Sequence, residues 1–137
     1  MKNTMNWNFD NSYSRLSNSF KEHIEPVAVK NPELVLINED LAKELNLDFS
    51  KNDKNELAAL FSGNILPEGS NSIAQAYAGH QFGHFTMLGD GRAVLIGEHL
   101  TKNNERYDVQ FKGSGKTAFS RNGDGRAALG PMLREYI

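Results

Sequence analysis

Apolar positions in the first seventy residues fall into short, broken groups. Leu34, Val35, Leu36 and Ile37 run without interruption behind Glu33, which predicts a short buried strand over 33–37. Leu41, Leu45 and Leu47 follow Asn38 and Asp40, either of which can cap, so a helix is predicted to start there. Asp53 is placed to cap a second short helix, with Leu57, Leu60 and Phe61 as its apolar stripe and Gly63 as its stop. Trp7, Phe9, Tyr13 and Phe20 are the candidate packing anchors of the first thirty residues, and 66–72 is a Pro/Gly/Ser loop.

The texture changes from Ile73. A strand is predicted over 82–88, weakened by Gly83, and Gly89-Asp90-Gly91 reads as a hairpin turn into a return strand over 92–98. After a polar turn at 101–105, Tyr107, Val109 and Phe111 alternate with Asp108, Gln110 and Lys112, which predicts a third strand over 106–112. A three-stranded antiparallel meander follows, in an α+β fold. Beyond a long basic, glycine-rich loop, Pro131 suits the first position of a helix capped by Gly130, with Met132, Leu133, Tyr136 and Ile137 as its apolar face. The pattern stops two turns in without a C-cap, so the helix is expected to continue past Ile137.

Composition narrows the classes. With 137 residues, 39% of them hydrophobic, the chain amounts to at most one domain with a modest core. No cysteine is present, which removes disulfides, thiolate metal sites and a Cys nucleophile. No apolar run is long enough to span a bilayer, and residues 1–8 lack a secretory apolar stretch, so a cytoplasmic setting without a membrane partner is expected. A net charge of −2 argues against a general nucleic-acid binder, but the charge is uneven. Residues 31–70 carry a net −5, whereas residues 106–126 carry a net +3. A basic, glycine-rich segment in an acidic chain points to a focused anion site.

The chemistry candidates lie in that region. Gly115-Lys116-Thr117 looks like the end of a P-loop, but position 110 is Gln where the loop needs Gly, so the motif fails. Gly89, Gly91 and Arg92 can be an ordinary turn or a glycine loop close to a phosphate with Arg92 as a planar clamp. The same letters, Gly-Asp-Gly-Arg-Ala, recur at 123–127, which favours the phosphate reading. Lys112 can be a solvated strand-end lysine or the nucleotide lysine of a kinase-like lobe. The second role needs a glutamate on a following helix, and Glu135 is available. Asp124 can form an Asx turn, or position Arg126 or a metal–phosphate group. Ser114, Thr117 and Ser120 suit capping better than nucleophilic attack, because no base lies near them in sequence. His80 and His84 have the spacing of a zinc helix but lack its glutamate and are interrupted by glycines. They are expected to pack beside Tyr77 and Phe82 instead.

Four stretches, 74–83, 88–93, 111–117 and 120–136, resemble the selenoprotein O (YdiU) family almost without a break, and the first seventy residues resemble it more loosely. The resemblance implies a protein-kinase-like fold, with 1–72 as an N-terminal α+β region packed on a nucleotide-binding N-lobe portion, 73–137. It implies AMP transfer from ATP to Ser, Thr or Tyr hydroxyls of proteins, with UMP transfer also ascribed to bacterial members. Carried over, Gly89, Gly91, Arg92, Lys112, Asp124 and Gly125 would hold ATP, with Glu135 as the ion-pair partner of Lys112. The catalytic base and the ligands of Mg2+ (or Mn2+) would lie past Ile137, in a C-lobe that completes the site, so these 137 residues alone are expected to be inactive. A phosphotransferase and a non-catalytic nucleotide- or anion-binding module are the alternatives.

Overall fold

A computed structural model describes residues 5–136. Its order is β1 (Lys21–His23), α1 (Glu39–Glu44), α2 (Lys54–Phe61), β2 (Ile73–Gln81), β3 (His84–Gly89), β4 (Ala93–Leu100), β5 (Arg106–Lys112) and α3 (Leu129–Tyr136), with two single 3-10 turns before β1. The strands form one antiparallel five-stranded arrangement, so the α+β class read from the sequence holds.

Topology departs from the predicted meander. The order is β1-β2-β4-β5, with β3 paired to β2 rather than to β4. Gln81 and His84 face each other across a two-residue loop, Phe82 and Gly83, both at positive φ (57° and 79°). That loop is the hairpin turn, since positive φ at both central residues is the signature of a type I′ turn. Gly83 therefore turns the chain instead of weakening a strand, and Gly89-Asp90-Gly91 is a link between two strands that do not pair. The strand β2 was not predicted. Its alternation is masked by Ala, Gly and His, and only Ile73 and Ala74, at the end inserted beside β1 and touching β4 at Leu95, are buried.

β4 is central and almost wholly buried, with Val94, Ile96 and His99 among the most enclosed side chains. A register shift between Leu95 and Gly97 kinks it against β5. Gly97 is required there, since an added Cβ would lie 2.5 Å from the Phe9 ring. Against this strand pack Trp7 (7% exposed), Ala42, Leu47 and Leu60, joined by Phe9, Leu45, Phe49 and Val109. The imidazole of His99 fastens three segments. Its Nδ1 accepts the Asn8 N–H at 3.1 Å, its Nε2 lies 2.7 Å from the Leu45 carbonyl, and its edge meets Trp7. These contacts require the neutral ring with the proton on Nε2.

Locally encoded ends appear as predicted. Asn38 caps α1, Asp53 and Glu56 form a capping box on α2, and Gly63 follows α2 at φ 81°. Other expectations give way. Residues 33–37 form no strand, and Val35 is 63% exposed, because no sheet edge lies beside them. Phe20 is 51% exposed and anchors nothing, unlike Trp7. Helix α3 begins at Leu129, so Pro131 is its third residue, still in the first turn where a missing N–H costs nothing. Ile137 lies outside the described residues. No helix among the described residues is long and apolar enough to cross a membrane.

Candidate functional site

The two Gly-Asp-Gly-Arg segments, far apart in sequence, are brought to one cleft of about 530 Å³. One wall is the β3–β4 link with Gly89, Gly91 and Arg92, and the other is the loop after β5, with Phe119, Ser120, Arg121, Gly123, Asp124, Gly125 and Arg126.

Hydroxyl groups join the walls. The Thr117 hydroxyl donates to the Asp90 carbonyl, and the Ser120 hydroxyl donates to the Gly91 carbonyl at 2.5 Å. Ser120 Oγ also accepts the Thr117 N–H at 2.7 Å, and Thr117 Oγ1 accepts the Phe119 N–H at 3.1 Å. Thr117 and Ser120 are buried and fully used as caps, as their lack of a nearby base suggested. This packing presses Phe119 against the link: an added Cβ at Gly89 would sit 2.4 Å from its ring, and one at Gly91 3.0 Å from its carbonyl. Glycine at these positions thus lets one wall of the cleft lie on the other.

Asp90 is 6% exposed and belongs to the scaffold. Its carboxylate accepts the Gln75 N–H at 2.9 Å while its own N–H donates to the Gln75 carbonyl. Burial raises its carboxyl above the ordinary value, and the hydrogen bond from the Gln75 N–H offsets only part of that rise. Its counterpart Asp124 is exposed, and its Oδ1 accepts the Arg126 N–H at 2.9 Å, an Asx turn. The loop closes on itself where Ser114 bridges Arg126 and the Gly115 N–H donates to the Gly125 carbonyl at 3.1 Å.

Five of the predicted residues, Gly89, Gly91, Arg92, Asp124 and Gly125, line the cleft. Lys112 does not, but it pairs with Ala93 across β4–β5, one residue along from Arg92. Lys112 Nζ donates to Glu135 Oε1 at 2.5 Å, so strand and helix meet as the lysine–glutamate spacing anticipated, with both side chains exposed. His80 and His84 are exposed on the β2–β3 hairpin, where His84 Nδ1 contacts the Phe82 carbonyl. The expected packing beside Tyr77 and Phe82 fails, because those rings are exposed too. Sequence reasoning did not single out Phe119, Arg121 or Met87 as cleft residues. The Thr-x-x-Ser spacing at 117–120 was the available signal for a local turn that could place Phe119 and Arg121, while Met87 on β3 carried none.

Three arginines against one carboxylate give the lining of the cleft an excess of positive charge. Among the described residues no group of three or more His, Asp or Glu side chains is placed to hold a metal ion. Asp124 is the one carboxylate among the residues lining the cleft, and a lone carboxylate does not make a divalent-metal site.

The molecule is thus an antiparallel α+β unit with an arginine-rich cleft between two glycine turns. The family described as protein adenylyltransferase SelO matches residues 3–137, and the chain belongs to that family. It is 75% identical over 134 residues to the protein nucleotidyltransferase YdiU of Pelagibacter ubique, covering 98% of this chain and 28% of that one. The proteins of the same name from Nitrosococcus oceani and Anoxybacillus flavithermus are 63% and 61% identical, over 96% of this chain and 27% and 28% of theirs. The chain therefore spans less than a third of the length of the curated relatives it matches.

Proposed function

We propose that this chain is the ATP-gripping part of a nucleotidyltransferase that moves AMP from ATP onto Ser, Thr or Tyr hydroxyls of proteins. The observation that carries the reading is the cationic cleft between the two Gly-Asp-Gly-Arg segments, in a chain of the adenylyltransferase family. In this reading the sheet and α3 form the nucleotide lobe of a kinase-like fold, with Lys112 as the strand lysine and Glu135 holding it in place. Arg92 and Lys112 offset phosphate charge, the glycines let the chain approach, and Asp124 and Gly125 shape the far wall.

The acceptor hydroxyl oxygen attacks the α-phosphorus, the bond to the bridging oxygen breaks, and pyrophosphate leaves. The hydroxyl proton passes to a general base, a role this reading assigns to none of these residues. Divalent metal, which eases such transfers by offsetting phosphate charge, would take its ligands from elsewhere in the full-length protein. The contribution of these residues is binding and orientation.

The test uses the intact full-length protein with an acceptor protein, Mg2+, and ATP labelled at either the α or the γ phosphate. Transfer of the α label alone is expected. A γ label on the acceptor would mark a phosphotransferase, and tight ATP binding with neither label transferred would mark a non-catalytic module.

A further inference from the structure

Arg121 holds a backbone conformation that its residue type disfavours. The Gly123 N–H donates to the Ser120 carbonyl at 2.9 Å, closing a turn over 120–123, and Arg121 is the second residue of that turn with φ 55°. Positive φ at that position is the province of Gly, Asn and Asp. The turn is imposed from outside, since Ser120 is fixed by its bonds to Gly91 and Thr117. Glycine would fit there without strain, yet the chain carries its longest cationic side chain.

That side chain is exposed and lines the cleft with Arg92. The other cleft arginine, Arg126, donates to the Val27 carbonyl at 3.1 Å, and Arg15 and Arg106 are engaged by Asp10. Neither Arg92 nor Arg121 makes a side-chain hydrogen bond or ion pair with any described residue. Two uncommitted guanidinium forks therefore enter one cleft, one from each wall. A strained residue held by its surroundings is a marker of function when its side chain reaches a site.

We infer that Arg121 is a ligand-contacting residue which, with Arg92, grips the phosphate chain of a nucleoside triphosphate and selects it over a monophosphate. The inference rests on the reading of the cleft as the ATP site. Two planar cations suit two successive phosphate groups, and a monophosphate can satisfy only one of them.

Arg121→Gly separates function from fold, because glycine relieves the turn while deleting the cation. Calorimetric titration of the full-length protein is expected to show ATP affinity reduced roughly tenfold or more, with AMP affinity little changed. The thermal midpoint should hold or rise, and Arg121→Lys should fall between variant and parent. Unchanged ATP affinity in Arg121→Gly, with ATP weakened by Arg92→Ala, overturns the inference alone. A lower thermal midpoint accompanying the affinity loss assigns Arg121 a structural role and also overturns it. If Arg92→Ala and Arg121→Gly both bind ATP as the parent does, the reading of the cleft falls together with the inference.

Discussion

Gly125→Ala should damage the protein even where no ligand is bound. Gly125 is buried with φ 70°, and an added Cβ would lie 1.9 Å from the Gly115 carbonyl oxygen and 2.6 Å from the Lys116 nitrogen. Both neighbours are backbone, so no side-chain rotation relieves the overlap. An L-residue in the left-handed region costs about 1–2 kcal/mol. Displacing Gly115 also breaks its N–H bond to the Gly125 carbonyl, 3.1 Å in the parent, for about 0.5–1.5 kcal/mol. The sum is on the order of 3 kcal/mol, a large share of the roughly 5–15 kcal/mol that holds a typical domain. Trp7 is the one tryptophan and is buried, so its fluorescence reports urea unfolding. At about 1–3 kcal/mol per molar urea, the midpoint should drop by roughly 1–3 M. Gly130→Ala is the control: nothing lies within 4 Å of its added Cβ, and a gain of about 0.4–1 kcal/mol is expected. A Gly125→Ala midpoint equal to that of the parent would refute the steric argument.

Two further outcomes can be checked. Lys112→Glu should weaken ATP binding by at least about tenfold in a titration of the full-length protein, while thermal stability shifts by no more than about 1 kcal/mol, since its pair with Glu135 is solvent-exposed; unchanged affinity would remove Lys112 from the site. Hydrogen bonds from Arg106 and then Arg15 hold the Asp10 carboxyl below its ordinary value. The folded-state pKa is depressed, so the stabilisation is full above the unfolded value and is lost as pH falls through the folded one. Asp10→Asn should therefore lower the urea midpoint near neutrality and converge with the parent in acid; a constant gap between them from about pH 7 to about pH 2 would show that ionised Asp10 contributes nothing.

The parts of this molecule legible in the sequence are those settled within a few residues. Asn38 and the Asp53–Glu56 pair mark helix starts because each satisfies orphan N–H groups of its own helix. Strand β5 was readable end to end because Tyr107, Val109 and Phe111 alternate with polar residues. The run 33–37 misled for the opposite reason: apolar letters make a strand only if an edge receives them, and none does.

The α+β class, the caps at Asn38 and Asp53 and the basic glycine-rich segment follow from the sequence alone. The sequence also offers Glu135 as a partner for Lys112 but leaves that lysine two readings, and it misplaces Gly130 as the cap of a helix that already begins at Leu129. Tertiary structure decided what the repeated Gly-Asp-Gly-Arg means. Identical letters become a buried scaffold carboxylate at Asp90 and an exposed Asx turn at Asp124, because one copy lies under the Thr117–Ser120 clamp and the other on the open rim. It also set β3 against β2, turned Gly83 into a hairpin corner, and forced Arg121 to positive φ. The clamp and the backbone of Arg121 depend on hydrogen bonds between segments as many as twenty-nine residues apart, such as that from Ser120 to Gly91, which no local pattern encodes. The β2–β3 hairpin, by contrast, is a local pairing whose alternation is hidden by Ala, Gly and His.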